Sequence, residues 1–183
     1  MKKAIIVLAE GFEEVEAFAP IDILRRCQVD VVVAALTKDE VASAHNVTVK
    51  PDVLIDEVTE LPDVLIFPGG MPGAENLALS KKVKDLVLKM AAEGKLIAAI
   101  CASPALVLAP LGVLEGKTAT CYPGMESNFP AGTKHSTNNV VQDGNLITSL
   151  GPATAFEFGL KIAENLVGKQ KTDMIASQML FEG

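Results

Sequence analysis

Short runs of consecutive apolar residues alternate along this chain with segments in which apolar residues recur every three or four positions. The continuous runs are typical of strands buried on both faces, and the periodic segments are typical of helices with one apolar face. Such an alternation predicts crossover connections between parallel strands. The main predicted strands are KAIIVLA, VDVVVAAL, DVLIFPGG, LIAAIC, NVVQDG and NLITSL, and the main predicted helices are EEVEAFAPIDILRRC, SKKVKDLVLKMAAEGK, SPALVLAP and ATAFEFGLKIAENLVGK.

This order of elements predicts a three-layer α/β sandwich with a mostly parallel sheet, formed by a single domain over residues 1–183. Active sites in such sheets lie at the carboxyl ends of the strands. Three of these ends carry residues that favour chemistry, and they are the segments Glu10–Glu16, Pro68–Gly73 and Cys101–Pro104. We therefore expect the functional residues in these three segments.

The composition is that of a globular protein with a sizeable core, since 49% of the 183 residues are hydrophobic and 21% are charged. The net charge of −7 argues against nucleic acid and acidic membrane surfaces as partners, because both bind basic faces. The apolar runs are shorter than the roughly 20 residues that span a bilayer. Ala4–Ala9 is also too short for the core of a secretory signal. We expect no membrane segment and no targeting segment.

Three cysteines, Cys27, Cys101 and Cys121, form an odd set without the spacing of a disulfide framework. Such a set favours a reducing compartment, and we predict a cytoplasmic protein. The two histidines, His45 and His135, lie far apart in the sequence and outside any metal-ligand pattern. We therefore predict that the protein has no metal site.

Cys101 stands where the predicted strand LIAAIC gives way to a predicted helix. Ser103 is a residue type that caps helices, and Pro104 suits the first helical position. The unpaired N–H groups and the dipole of a helix start stabilise a thiolate, and a sharp strand-to-helix turn exposes its side chain. The pattern thus allows a nucleophile at Cys101. It also allows an inert core cysteine, since free cysteines are commonly buried.

The other two segments bear on this choice. Gly69 and Gly70 permit backbone N–H groups to approach a ligand closely, although Pro-Gly-Gly is also an ordinary turn. Acidic residues before the first helix favour its start whatever their function. Glu16, however, shares a helical face with Pro20 and Ile23, and this places it toward the apolar side. A carboxylate in such a position needs a partner or a proton.

Four motifs follow one another over nearly the whole chain: LAEGFEEVEAFAPIDILRR, FPGGMPGAENL, AAICASPALVLA and TSLGPATAFEFGLKI. Together they resemble the ThiJ/PfpI superfamily, in particular the branch of the Parkinsonism-associated deglycase and its bacterial relatives. Four motifs in order are far more specific than any one of them. The resemblance implies a flavodoxin-like fold with a nucleophile elbow at Cys101.

The resemblance also implies the roles of the residues around this elbow. Cys101 is the nucleophile. Glu16, which matches the last acid of the EEVE motif, forms a hydrogen bond with its sulfur. The backbone N–H groups of Gly70 and Ala102 form the oxyanion-binding pair.

A homodimer built on the first helix region is implied as well, with Arg26 near the contact. Three positions depart from the pattern of relatives. His45 stands where an arginine is frequent, so that only a polar role carries over, and Ser103 replaces a frequent glycine. The position of a histidine that accompanies the cysteine in some members falls on Thr133, two residues before His135. A histidine-assisted mechanism is therefore not implied.

Two related activities are disfavoured by the residues present. Peptidase-like members of the superfamily have a histidine directly after the nucleophile, where this chain has Ala102. Glutamine amidotransferases use a later His-x-Glu pair, which neither His45 nor His135 begins.

The resemblance implies a cysteine enzyme that acts on small α-oxoaldehydes such as methylglyoxal, or on their adducts, in carbonyl and oxidative stress defence. Such a glyoxalase or deglycase needs no metal and no organic cofactor. The alternative is non-enzymatic, because an accessible, acidic Cys101 also suits a redox sensor or a stress-induced chaperone. A role in thiazole monophosphate biosynthesis is disfavoured, since the Pro-Gly-Gly turn lacks the length and the trailing lysine of a phosphate loop.

Overall fold

The structure is a computed structural model that describes residues 1–37 and 39–181. None of the described helices combines the length and the apolar character needed to cross a membrane. The strands are β1 (Lys3–Leu8), β2 (Asp30–Ala35), β3 (Val41–Ala42), β4 (Thr48–Val49), β5 (Val53–Leu54), β6 (Val64–Phe67), β7 (Leu96–Ile100), β8 (Thr118–Ala119), β9 (Lys134–His135), β10 (Val140–Asp143) and β11 (Leu146–Ser149). The α-helices are α1 (Glu14–Arg26), α2 (Gly73–Leu79), α3 (Lys81–Ala92), α4 (Ala155–Val167) and α5 (Lys169–Gln178).

The main sheet has the strand order β10-β11-β7-β6-β1-β2-β5. β10 pairs antiparallel with β11, whereas all the other neighbours in this sheet are parallel, and this confirms the predicted mostly parallel sheet. The chain adds β2 and β5 on one side of β1 and then crosses to β6 on the other side. The carboxyl ends of β1 and β6 therefore flank the point at which the strand order reverses, which is where open α/β sheets form their sites.

Helices cover both faces of the sheet, and this confirms the predicted three-layer sandwich. α1 and α4 pack on one face, where Ile23, Phe158 and Ile162 are fully buried against alternate residues of β1. α3 packs on the opposite face through the apolar stripe that the sequence predicts, which includes Val83 and Val87. The face with α1 is the one that matters for function, because α1 carries Glu16.

α1 continues through Pro20 to Arg26 and lies very close to α4. At Gly159 of α4, an added Cβ atom would lie only 3.0 Å from the Cα atom of Pro20 and 2.7 Å from the Cδ1 atom of Ile23. A larger side chain at position 159 would therefore push the two helices apart. Glycine at this position lets α4 hold α1 firmly against the sheet.

Two stretches near the site differ from the sequence-based expectation. The Gly-rich stretch after β6, predicted as a turn, leads directly into α2, whose seven residues are too few to show a helical repeat. The predicted helix SPALVLAP is irregular, with one π-helical turn over Pro104–Leu108 and a 3₁₀ turn over Ala109–Leu111. Pro110 has no N–H group to donate, so a regular α-helix is not maintained there.

Candidate functional site

The three predicted segments meet at the carboxyl ends of β1, β6 and β7. Cys101 follows β7 directly, and its backbone has a φ of 65°, in the left-handed region that residues other than glycine rarely adopt. This conformation turns the chain sharply between the strand and the following helical turns, as in a nucleophile elbow. Cys101 is 9% exposed, whereas Cys27 and Cys121 are fully buried.

Glu16 reaches this elbow from the first turn of α1. Its side chain is fully buried, and its Oε2 atom accepts a hydrogen bond of 2.8 Å from the N–H group of Gly69. The carboxyl group of Glu16 also lies beside the Cys101 thiol, and this contact lowers the pKa of Glu16. Its second oxygen, Oε1, is buried without a hydrogen-bond partner. The predicted inward orientation of Glu16 is thus confirmed, and one of its oxygens is left for a proton.

The turn after β6 completes the site because it contains glycine at two crowded positions. At Gly69, an added Cβ atom would lie 2.7 Å from the Cβ atom of Cys101 and 2.9 Å from Oε2 of Glu16. Gly70 has a φ of 86°, and an added Cβ atom there would collide with the backbone of Glu13. A larger residue at either position would therefore displace the backbone donors of the site.

The two predicted oxyanion-binding N–H groups converge on the sulfur. The backbone N–H groups of Gly70 and Ala102 face the thiol of Cys101, and both lower its pKa. Gly70 comes from the turn after β6 and Ala102 from the elbow, so that the pair depends on two neighbouring strands. Donors in this arrangement stabilise negative charge on the sulfur or on an oxygen beside it.

Cys101 and Glu16 form a coupled acid pair. Burial raises the pKa of Glu16 to about 7, against the opposing hydrogen bonds from Gly69 and Cys101. Burial and then the charge of Glu16 raise the pKa of the Cys101 thiol to about 12, and the N–H groups of Gly70 and Ala102 oppose this rise. The contribution from charge exists only while Glu16 is ionised. The pair therefore carries at most one negative charge near neutral pH.

The predicted cap at Ser103 is wrong. Ser103 precedes the π-helical turn, but its side chain makes no capping hydrogen bond to that turn. Its hydroxyl group instead donates a hydrogen bond of 2.6 Å to the carbonyl oxygen of Pro68, and both groups are buried. The preference of serine for helix starts does not reveal this contact, because Pro68 belongs to a different strand end.

Arg26 and His45 lie outside the Cys101–Glu16 pair. Arg26 is on the exposed side of α1, and its Nε atom donates a 2.9 Å hydrogen bond to Asp22 of the same helix. His45 stands on the connection between β3 and β4, where its Nδ1 atom lies 2.8 Å from Oε2 of Glu14. That hydrogen bond and the charge of Glu14 raise the pKa of His45. His45 thus has a polar contact, although with Glu14 rather than with Glu16.

Glu13, Glu14 and His45 are the described residues whose ligand atoms are grouped as a metal site requires, within 4.8 Å of one another. Both oxygens of Glu14 already accept hydrogen bonds, one from the Ser43 hydroxyl and the His45 backbone, the other from the His45 ring when Nδ1 carries the proton. Burial opposes the ionisation of Glu14, but these hydrogen bonds lower its pKa to about 2. The hydrogen bonds of this group attach the β3–β4 connection to α1.

The comparisons with known proteins agree with this geometry. The sequence pattern of the DJ-1/PfpI family matches residues 2–165. The chain is 45% identical to Protein DJ-1 homolog B of Arabidopsis thaliana over 91% of its own length, and it spans 38% of the length of that relative. It is 36% identical to Glutathione-independent glyoxalase DJR-1.2 of Caenorhabditis elegans, over 95% of this chain and 94% of that one.

Among solved structures, oxidised DJ-1 of Toxoplasma gondii is similar over the full length of both chains. The two chains superpose with a TM-score of 0.96 at 40% sequence identity, and each is covered to 100%. The fold, the matched range and these identities have one common explanation, which is that this chain belongs to the DJ-1/PfpI family.

Proposed function

We propose that this protein is a cofactor-independent cysteine enzyme that acts on α-oxoaldehydes such as methylglyoxal, or on their adducts. The observation that carries the proposal is the set of groups that surround the Cys101 sulfur. Two backbone N–H groups, from Gly70 and Ala102, and the carboxyl group of Glu16 lie beside it and act on its pKa. A thiol in such a site has the stabilising donors that a nucleophile needs and an acid beside it for proton transfer.

The chemistry follows from these three contacts. The thiolate of Cys101 forms a C–S bond to the aldehyde carbon, and the carbonyl electron pair moves to the oxygen, which Gly70 and Ala102 stabilise with their N–H groups. Glu16 gives its proton to this oxygen. As a carboxylate, it then removes the hydrogen of the same carbon as a proton, which gives an enediol. The proton returns to the neighbouring carbon, and the hydroxyl proton passes from the first oxygen to the neighbouring oxygen. The product is a lactate thioester, which water cleaves to lactate and the free thiol.

A relative supports this choice of substrate. The glutathione-independent glyoxalase DJR-1.2 of Caenorhabditis elegans is similar over nearly the whole of both chains. In the proposed reaction the protein itself supplies the thiol, and Cys101 is the most exposed of the three cysteines. Adducts of the same aldehydes would place the same carbon next to the sulfur, so the proposal includes them.

The test is saturable conversion of methylglyoxal to lactate by the purified protein in the absence of glutathione. A second arm supplies the preformed hemithioacetal of an N-acetylated cysteine. The control is an equal concentration of Cys101→Ser, since this variant retains the other nucleophiles of the chain. A rate that rises linearly with methylglyoxal and is the same in Cys101→Ser would contradict the proposal.

A second candidate function is redox sensing through Cys101. The observation that favours it is that the similar Toxoplasma gondii structure is of oxidised DJ-1. The backbone N–H groups of Gly70 and Ala102 would donate to the oxygens of a sulfinate as well as to a thiolate. The test is whether oxidation of Cys101 by peroxide changes a second protein or a cellular response. Oxidation without either effect would count against a signalling role.

The proposal includes a homodimer built on the first helix region. The described surface of α1 exposes Phe18 and the Arg26–Asp22 pair, and Val47 is exposed on the nearby β3–β4 connection. Light scattering is the test, and a monomer at micromolar concentration would exclude an obligate dimer. A cytoplasmic location stays a prediction from the cysteines, and the chaperone and thiazole alternatives have no contact in the described structure to support them.

A further inference from the structure

The turn that supplies the N–H donors of the site is Pro68–Gly70, and each of its three carbonyl groups accepts a hydrogen bond. Each peptide unit is planar, so the carbonyl of one residue and the N–H group of the next point in opposite directions. The carbonyl of Gly69 accepts a hydrogen bond of 3.0 Å from the N–H group of Glu13, and the carbonyl of Gly70 accepts one of 2.9 Å from Ala74. The carbonyl of Pro68 accepts its hydrogen bond from Ser103.

The peptide unit between Pro68 and Gly69 is the one that serves Glu16. Its carbonyl accepts the hydroxyl hydrogen of Ser103 at 2.6 Å, and its N–H group donates to Oε2 of Glu16 at 2.8 Å. Both contacts are buried, and water does not compete for either group. A rotation of this peptide plane would lengthen both hydrogen bonds together, so the hydroxyl of Ser103 restrains the orientation of the Gly69 donor.

We propose that Ser103 is a positioning residue for the reacting pair, and that it acts by fixing the peptide plane whose N–H group orients the Glu16 carboxyl group. This inference rests on the proposed function, because it assigns Ser103 a role in that same chemistry. Ser103 itself does not hydrogen-bond to the sulfur or to Glu16. It acts through the Pro68–Gly69 peptide.

Ser103 is the point at which this support can be removed by substitution. The carbonyls of Gly69 and Gly70 are held by backbone N–H groups of Glu13 and Ala74, which a side-chain change leaves in place. The carbonyl of Pro68 is held by a side chain. Loss of the hydroxyl leaves that carbonyl buried without its donor and frees the peptide plane to tilt.

The expected consequence has a definite sign. The Gly69 hydrogen bond stabilises the ionised form of Glu16 and lowers its pKa. When this donor is less well oriented, Glu16 keeps its proton to higher pH. We expect Ser103→Ala to raise the pKa of Glu16 by about one unit, the effect of one buried hydrogen bond to a charged group. We also expect kcat to fall about tenfold with little change in KM, because Ser103 does not contact substrate.

The experiment follows the infrared absorption of the protonated carboxyl group against pH, and its disappearance in Glu16→Gln identifies the band of Glu16. Ser103→Ala and Ser103→Gly are compared with Ser149→Ala. Ser149 is a matched control because it is also fully buried and its hydroxyl donates to a backbone carbonyl, that of Asn139, at 2.8 Å. If Ser103→Ala does not fold, the test is made with Ser103→Gly, since glycine adds no atoms to the buried site.

Support for the inference is a shift of the Glu16 band to higher pH in both Ser103 variants, with the control at the wild-type position. An unshifted band in a folded Ser103 variant, or an equal shift in Ser149→Ala, would overturn it. The infrared titration does not depend on turnover. Failure of the proposed function would instead appear as methylglyoxal conversion that survives in Cys101→Ser, so the two failures are distinguishable.

Discussion

Cys101 and Cys121 are two buried thiols on neighbouring segments of the chain. A backbone hydrogen bond of 2.7 Å, from the N–H group of Tyr122 to the carbonyl of Cys101, joins the two segments. Burial raises the thiol pKa of both, to about 12 for Cys101, where the charge of Glu16 adds to it, and to about 11 for Cys121, where the charge of Glu126 adds to it. By burial alone, neither is a better nucleophile than the other.

The difference lies in what surrounds each sulfur. Cys101 has a left-handed backbone, two N–H donors and a buried carboxyl group that can hold the second proton. For Cys121, burial and a nearby negative charge raise its pKa, and no hydrogen bond from the described residues offsets them. The comparison teaches that two buried thiols that both follow a strand differ in the oriented donors and the partner acid around them.

The largest expected effect is the loss of the nucleophile. Cys101→Ser should lower methylglyoxal turnover by about 10⁴-fold or more, because a hydroxyl group is far less acidic and less nucleophilic than a thiol. Cys121→Ser, the matched substitution, should retain most of the activity. Steady-state lactate formation measures both. A large loss in Cys121→Ser with activity retained in Cys101→Ser would move the site to the other thiol.

The partner acid is the next difference to remove. Glu16→Gln keeps a hydrogen-bond donor but has no transferable proton and no charge. It should lower turnover by about 10²–10⁴-fold and lower the thiol pKa of Cys101, because the charge of Glu16 raises that pKa. Glu16→Leu also removes the donor, so the thiol pKa of Cys101 should be higher in this variant than in Glu16→Gln. The measurement is thiolate absorbance against pH in wild type and both variants.

A lower thiol pKa in Glu16→Leu than in Glu16→Gln would contradict this assignment. It would mean that a hydrogen-bond donor at position 16 does not stabilise the thiolate. The proton of Glu16 would then have no role in stabilising the sulfur.

The buried acid should also make stability depend on pH. In the unfolded chain, Glu16 loses its proton near its ordinary pKa of 4.5, whereas the folded protein keeps the proton until about pH 7. Between these values the folded state binds more protons, so this group lowers stability as pH rises. Relative to wild type, Glu16→Gln should gain on the order of 3 kcal/mol between about pH 4 and about pH 8.

Urea unfolding at the two pH values measures this difference. Cys121→Ser is the control and should follow the pH dependence of wild type, since the Cys121 environment holds no buried carboxyl group of this kind. Equal pH dependence in Glu16→Gln and wild type would show that Glu16 titrates normally in the folded protein.

The smallest expected effect is a difference in oxidation rate between the thiols. Mild peroxide should add two oxygens to the Cys101 peptide about tenfold faster than to those of Cys27 and Cys121, because Cys101 is the most exposed of the three residues and its donors stabilise a sulfinate. Peptide mass analysis after timed exposure measures the three rates. Similar rates for all three cysteines would mean that the surroundings of Cys101 give it no special reactivity.

Much of this site could be predicted from the sequence, because local patterns carry the relevant physics. Continuous apolar runs separated by helical periodicity are enough to predict a parallel sheet and the strand ends that bear the chemistry. The helical spacing of Glu16 with Pro20 and Ile23 predicts its burial, which the structure confirms. The placement of Cys101 at a strand-to-helix joint likewise predicts an elbow, and its φ of 65° agrees.

The partners of these residues were decided only by the tertiary structure. Glu16 meets Gly69 across 53 positions, and Ser103 meets Pro68 across 35 positions. Such contacts depend on the order of β1, β6 and β7 in the sheet, and no local pattern encodes that order. The sequence by itself therefore determined which residues are chemically able to act. The fold decided that Ser103 holds the carbonyl of Pro68 instead of capping a helix, because a buried carbonyl beside its hydroxyl offers the better hydrogen bond.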